Sequence, residues 1–313
     1  MTDPMRIAVV GMGKIAHDQH LPAIAANANF ELAATVSRHG EAAGGRPFFR
    51  DVTELAASGI AIDAVALCTP PQVRRAIATF ALQQGWHTFL EKPPGATLAE
   101  VIALRDLAAA KKVSLFASWH SRYAEGVEPA RAWLAERTVR RARITWREDV
   151  RVWHPGQDWI WQPGGFGVFD PGINALSIIT RILPLPLFVS SADMDVPGNC
   201  AAPIAARVSF RDSGDAAVEM DLDFRQEGPQ SWDIVVETDD GTLTLSQGGG
   251  VLTIDGGAAP PAADDLKGEY PGLYRRFEEI VRAGASDVDV SPLRLVADAF
   301  LRARINRVED FIE

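Results

Sequence analysis

The chain has 313 residues, 47% of them hydrophobic and 23% charged, with a formal net charge of −10. The length exceeds one typical core and the composition is that of an ordinary soluble globular protein, so two domains are expected. The negative charge argues against nucleic acid or an anionic membrane as a main partner, because both attract cations.

The start, "MTDPMRIAVVGMG", runs straight into a glycine turn. It has no basic segment followed by an apolar stretch and a cleavage site, so no signal peptide is expected. No apolar run is long enough to span a bilayer. The two cysteines, Cys68 and Cys200, sit in apolar strand-like contexts and read as free thiols of a reducing compartment. By elimination the expectation is a cytoplasmic protein.

Through the first 120 residues two patterns alternate. Short apolar runs at 6–11, 31–37, 64–69, 87–91 and 113–119 suit strands buried on both faces. Helix-like segments near 15–27, 71–84 and 97–111 separate them, with Pro71 in a first turn and Thr97 and Glu100 as a capping box. The alternation predicts a doubly wound parallel sheet, a Rossmann-type α/β domain over residues 1–121, whose ligands bind at the carboxyl ends of the strands.

From residue 122 to 313 the character changes. A helix-like segment near 123–137 leads into a short strand, then a Gly/Pro/Trp-rich loop over 153–167 and a helix near 171–182. Residues 188–255 read as consecutive strands with a hairpin turn at "DDG", and consecutive strands without helices predict a large, mainly antiparallel sheet. A loop over 258–265 and helices near 271–283 and 292–311 close this α+β domain. The alternation in "VEMDLDFRQ" leaves one face of the sheet for a partner, and a homodimer through it is the assembly this suggests.

"GMGKIA" (11–16) is a G-x-G-x-x-A form of the dinucleotide fingerprint. Gly11 allows the tight turn, Gly13 lets backbone approach a pyrophosphate, and Ala16 permits close helix–strand packing. Lys14 and Ile15 open the helix whose amides face the phosphates. At the end of the second strand, where NAD sites carry a carboxylate for the ribose, stand Ser37, Arg38 and His39. Arg38 can pair with a 2′-phosphate, so NADP is the expected cofactor, with NAD as a second. The later strand exits, Thr69–Pro70 and Glu91, are assigned to the same cofactor.

Lys92 follows the strand "HTFLE" and precedes two prolines. Pro93 biases it toward an extended conformation, and an X–Pro bond here can be cis. The result is an ammonium held at the cofactor edge, able to hydrogen-bond a substrate hydroxyl and lower its pKa.

"GMGKIA" and "EKPPGAT" together resemble the Gfo/Idh/MocA oxidoreductases, whose hallmark is Glu-Lys-Pro after the fifth strand. The order of motifs matches across essentially the whole chain. The resemblance is closer still to the bacterial aldose 1-dehydrogenases of that family, which act on L-arabinose and D-galactose. "GKIAHDQHLPAI", "ASWHSRYAEGVEPAR", "WREDVRVWHPGQDWIW" and "GVFDPGINALSI" carry it. It implies a Rossmann domain, a second domain whose open sheet forms a subunit interface, and NAD or NADP as cofactor.

On the substrate side, six of the eight tryptophans lie between residues 119 and 161. An indole packs on the apolar face of a sugar and donates a hydrogen bond at its rim, although most tryptophans are core residues. Trp153 stands out because it adjoins His154 in a polar loop. His120, Glu148, Trp153, His154 and Asn174 are expected to bind ring hydroxyls. His17 and His20 are left outside the catalytic set. No Cys/His spacing resembles a metal site.

Asp170 and Asn174 are four apart and share a helix face, and Asp170 before Pro171 also reads as an N-cap. The broad family carries a histidine acid/base where Asn174 stands, and asparagine cannot shuttle a proton as imidazole does. The expected reaction is oxidation of a cyclic aldose at C1 to the aldonolactone. Lys92 polarises the hydroxyl, and Asp170 or water accepts the proton. Two rivals are another sugar or inositol dehydrogenase or keto-sugar reductase of the same family, and a non-catalytic NADP-sensing regulator.

Overall fold

Short apolar strands need cover on both faces, and the first sheet meets that need. In the computed structural model, which describes residues 3–39, 43, 45–258 and 268–312, the chain divides into two units. The first takes Met1–Trp119 and Gly268–Val290, and the second takes His120–Lys267 and Ser291–Glu313.

In the first unit β1 (Met5–Val10) is followed by a π-helical turn (Ala16–His20) that runs into α1 (Leu21–Ala25). Then come β2 (Phe30–Val36), β3 (Phe48–Phe49), α2 (Val52–Ala57), β4 (Ala64–Leu67), α3 (Pro71–Gln83), β5 (His87–Leu90), α4 (Leu98–Lys111) and β6 (Leu115–Ala117). The sheet order is β3-β2-β1-β4-β5-β6, all parallel, which is the expected doubly wound arrangement. Thr97 caps α4 by accepting from the Glu100 amide at 3.3 Å, while Glu100 reaches the Ala96 amide at 3.2 Å.

The expected linear division at residue 121 differs from the observed units, because residues 268–290 return to the first one. The cause is aromatic burial. The later helix α8 (Glu269–Arg282) inserts Tyr274 and Phe277 against Phe30, Phe89 and Phe116, with ring centroids 5.3 to 6.3 Å apart. Each ring so buried contributes about 1.5–3 kcal/mol relative to leaving it in water.

The second unit starts with a 3-10 turn at His120–Tyr123 and α5 (Val127–Leu134). β7 (Val139–Arg147) leads to the one-turn helix α6 (Val150–Trp153), a 3-10 turn at Asp158–Trp161, and α7 (Phe169–Ile182). The sheet continues with β8 (Leu187–Pro197), β9 (Ala205–Asp212), β10 (Ala217–Asp223), β11 (Ser231–Thr238), β12 (Gly241–Ser246), β13 (Val251–Ile254) and β14 (Gly257–Ala258). Helix α9 (Ser291–Arg302) and β15 (Ala303–Val308) complete it. The strand order is β14-β13-β12-β11-β7-β10-β9-β8-β15, antiparallel except for the β7–β10 and β8–β15 pairs. One face is apolar, with Ile144, Trp146, Val208, Phe210, Met220, Ile234 and Leu245 all buried. The other carries cross-strand ion pairs such as Arg141–Glu237 at 2.6 Å.

Three local expectations are corrected. The helix read over 292–311 stops at Arg302, and the next six residues form the edge strand β15. Pairing with β8 overrides local propensity there, and Arg304 meets Asp193 across the pair at 2.6 Å. The strand read before His154 ends at Arg147, because Asp149 accepts from the Arg151 amide and starts α6 instead. Helix α7 begins at Phe169, so Asp170 lies inside its first turn and is not its N-cap. The loop expected over 258–265 falls, beyond residue 258, outside the described residues.

Candidate active site

Parallel strands deliver their carboxyl ends to one edge of the first sheet. Gly11–Gly13 follow β1, Ser37–His39 follow β2, Thr69–Pro70 follow β4 and Glu91–Lys92 follow β5. Gly11 has φ +95°, and a Cβ there would lie 2.9 Å from the Cys68 carbonyl carbon and the Thr69 nitrogen. A side chain at Gly13 would meet nothing within 4 Å, so the backbone there is open to a ligand. Ala16 is wholly buried, Ile15 is half-exposed on the opening turn, and Lys14 pairs with Asp18. Thr69 Oγ1 is shielded from solvent and has no hydrogen-bond partner among the described residues. A tight glycine turn, an open approach beside it and an orphaned hydroxyl at the next strand exit fit a dinucleotide.

Arg38 and His39 are exposed at the end of β2. The structure adds Arg50, whose guanidinium donates to the Arg38 carbonyl at 3.1 Å and lies 5.1 Å over the Phe48 ring. Asp51 is committed to capping α2. Hydrogen bonds from the Thr53 hydroxyl and the Glu54 amide, helped by Arg38, hold its carboxyl below the usual range.

The Lys92–Pro93 peptide bond is cis. Glu91 turns inward, 4% exposed. Its carboxylate accepts from the Tyr270 hydroxyl and the Lys92 amide, each at 2.8 Å, and faces His20 Nε2 at 3.2 Å and Ser118 Oγ at 3.5 Å. The other nitrogen of His20 meets the Tyr274 hydroxyl at 2.8 Å. Burial lowers the His20 pKa, but Cys68, Tyr274 and Glu91 outweigh it and hold the group well above its ordinary value. Burial also pushes the Tyr274 phenol up, to about 12.

In the second unit a chain of side chains ends at Asp170. Trp232 Nε1 donates to Glu148 Oε2 at 2.8 Å, and Glu148 Oε1 meets His154 Nε2 at 2.8 Å. His154 Nδ1 then lies 3.8 Å from Asp170 Oδ2, beyond hydrogen-bond range. Glu148 is 1% exposed and Asp170 3%. Asn174 sits one turn further along α7. Trp153 packs its ring 4.7 Å from Trp232 and is 41% exposed. His120 opens the 3-10 turn, with Nδ1 3.3 Å from Ser121 Oγ. The loop before α7 needs its glycines, since a Cβ on Gly167, at φ +52°, would lie 2.2 Å from the Pro203 carbonyl oxygen.

Glu148, Trp153, His154 and Asp170 are thus brought together. Of the other tryptophans, Trp119 and Trp146 are core residues. Trp133 lies under the Arg137 guanidinium at 4.0 Å, and Trp161 packs on Phe224 and Phe311. Sequence reading left His20 outside the catalytic set and passed over Trp232, Arg50, Arg74, Tyr270 and Tyr274. Only Trp232 carried a signal, as a tryptophan in an alternating strand. Strand register sets it opposite Trp146.

A glycine-turn dinucleotide edge with a lysine at the β5 exit in one unit, and a buried carboxylate–imidazole chain in the other, are features that a nucleotide-dependent oxidoreductase would use. The Gfo/Idh/MocA model, described as an oxidoreductase family with an NAD-binding Rossmann fold, matches residues 5–118. A galactose 1-dehydrogenase of Pseudomonas fluorescens is 47% identical over 312 residues, 99% of each chain. The solved D-galactose-1-dehydrogenase of Rhizobium etli is 54% identical, covers 100% of this chain and 99% of its own, and superposes with a TM-score of 0.94. The 3-ketoreductase KijD10 of Actinomadura kijaniata, solved with NADP and TDP-benzene, shares the fold at 19% identity and TM-score 0.83, covering 97% and 99%. The chain belongs to the Gfo/Idh/MocA oxidoreductase family.

Proposed function

We propose that the enzyme oxidises a cyclic aldose at C1 to the aldonolactone, with D-galactose as substrate and L-arabinose, which lacks the C5 hydroxymethyl group, as a second. The observation that carries this reading is similarity along the whole chain to two proteins named as galactose 1-dehydrogenases. NADP is the preferred cofactor. Gly11, Gly13, Lys14, Ile15, Thr69 and Pro70 hold its dinucleotide body, and Ser37, Arg38, His39 and Arg50 its adenosine end. Two guanidinium groups at the β2 exit support the 2′-phosphate, and the nearby carboxylate, Asp51, is occupied by its cap.

The nicotinamide, when bound, would supply the hydride acceptor for C1. Lys92 donates a hydrogen bond to the C1 hydroxyl oxygen, and Asp170 takes the hydroxyl proton as the C1–O double bond forms. His154, Asn174, His120 and Trp153 bind the remaining hydroxyls and the ring face. Glu91 supports Lys92 from the protein interior.

The test is reduction of NADP⁺ and NAD⁺, followed by absorbance, against a panel of aldoses. Wild type should turn over D-galactose and L-arabinose. Lys92→Ala and Asp170→Asn should each lose about 10²–10⁴-fold in kcat while still binding NADP. Silence across the panel with NADP bound would move the assignment to a ring-carbon or keto-sugar reaction. Full activity of Lys92→Ala would remove the lysine from the chemistry.

A further inference from the structure

One buried guanidinium holds the chain on both sides of Lys92. Arg74 lies in the first turns of α3 and is 2% exposed. Its Nη1 donates to the carbonyl oxygens of Glu91 and Pro93, the residues before and after Lys92. Its Nη2 donates to the carbonyl of Thr69, at the exit of β4. From another direction the Glu91 carboxylate accepts the Lys92 amide at 2.8 Å. The preceding carbonyl, the amide and the following carbonyl around Lys92 are therefore all fixed by buried charged groups. The same arginine ties them to Thr69.

A buried cation is costly unless its donors are satisfied, and an apolar side chain would pack against a strand end at lower cost. Guanidinium is planar, permanently charged and carries five N–H donors in a rigid fork. That geometry lets one side chain serve carbonyls on two strand exits. An ammonium presents its donors from a single point and cannot span the three acceptors in the same way.

We propose that Arg74 is a positioning residue for the reaction, fixing the direction in which Lys92 presents its ammonium to the substrate hydroxyl. This rests on the reading of Lys92 given above. Arg74 touches the backbone at Lys92 and acts through it.

The experiment is a double-mutant cycle on the full-length enzyme. Wild type, Arg74→Lys, Arg74→Met, Lys92→Ala and Arg74→Lys/Lys92→Ala are compared for folding by circular dichroism, NADP affinity by fluorescence titration, and kcat and KM for D-galactose across pH. Arg74→Lys should fold and bind NADP as wild type does. It should lose about 10- to 100-fold in kcat, the scale of an ångström-level misplacement, with KM little changed and the kcat–pH profile shifted. In the Lys92→Ala background the same substitution should cost nothing further, since the group it positions is gone. Arg74→Lys with wild-type kcat and pH profile overturns the proposal. So does an equal loss in both backgrounds, or loss of fold in both single variants, because each makes Arg74 merely structural. If Lys92→Ala itself remains active, the reading of Lys92 fails, and the proposal falls with it for that separate reason.

Discussion

Glu148 shows how burial redefines a residue picked out by its chemistry. A carboxylate in a polar, tryptophan-rich stretch reads as a hydroxyl binder. Both of its oxygens are instead engaged, one by His154 and one by Trp232. Its direct effect is to orient the imidazole, and Trp232 orients it in turn. Replacing Trp232 with Phe keeps the ring against Trp153 and Trp146 but removes the indole donor. A buried carboxylate losing one hydrogen bond costs about 1–3 kcal/mol. We expect Trp232→Phe to lower thermal stability by that scale and to raise KM for the sugar by roughly 5- to 30-fold with kcat within a few-fold, because the indole touches no reacting group. A fall in kcat matching the rise in KM would place Trp232 in the chemical step. Residues adjacent along the chain, such as Gly11–Gly13 or Glu91–Lys92–Pro93, carry their meaning in the sequence itself. Trp232, Arg74 and Arg50 do not, because strand register, a helix start and the bend after β3 bring them to their partners.

Legibility at the scale of elements follows the same logic. The parallel strands β1, β2, β4, β5 and β6 were readable because each is a short apolar run between turn residues, and β4 and β5 need no tertiary information to be recognised. β3, with two residues, and α6, with four, are too short to hold a period. β15 took its conformation from β8, and its charged sequence alone resembles the helix before it. Helix α8 was readable as a helix but its destination was not, since nothing in an amphipathic pattern names the face it will cover. It covers His20. The folded-state pKa of His20 lies above its unfolded value, so the stability linked to its protonation is fully present below pH about 6.5 and is lost as pH rises through the folded pKa. His20→Gln removes that titration. We expect the unfolding temperature of wild type to fall between pH 6 and 9 by more than that of His20→Gln, measured by differential scanning calorimetry. Parallel curves would show that folding leaves the His20 pKa at its unfolded value.

For the whole molecule the open quantity is which dinucleotide it is tuned to. A ligand that binds only the folded protein stabilises it by RT ln(1 + [L]/Kd), about 2.7 kcal/mol at a hundredfold excess over Kd. At equal concentration NADP⁺ should therefore raise the unfolding temperature more than NAD⁺ does. Arg38 and Arg50 are the groups at the β2 exit able to make that difference, and charge-assisted hydrogen bonds of this kind contribute about 1.5–3 kcal/mol each. Arg38→Ala and Arg50→Ala should weaken NADP⁺ binding by roughly 10- to 100-fold, on the same scale, and leave NAD⁺ nearly unchanged. The gap between the two thermal shifts should then close. An equal loss for both cofactors would mean that the arginines hold the β2 exit together and do not read the phosphate. A larger shift with NAD⁺ in wild type would reverse the preference, and Ser37 or His39 would become the residues facing the ribose.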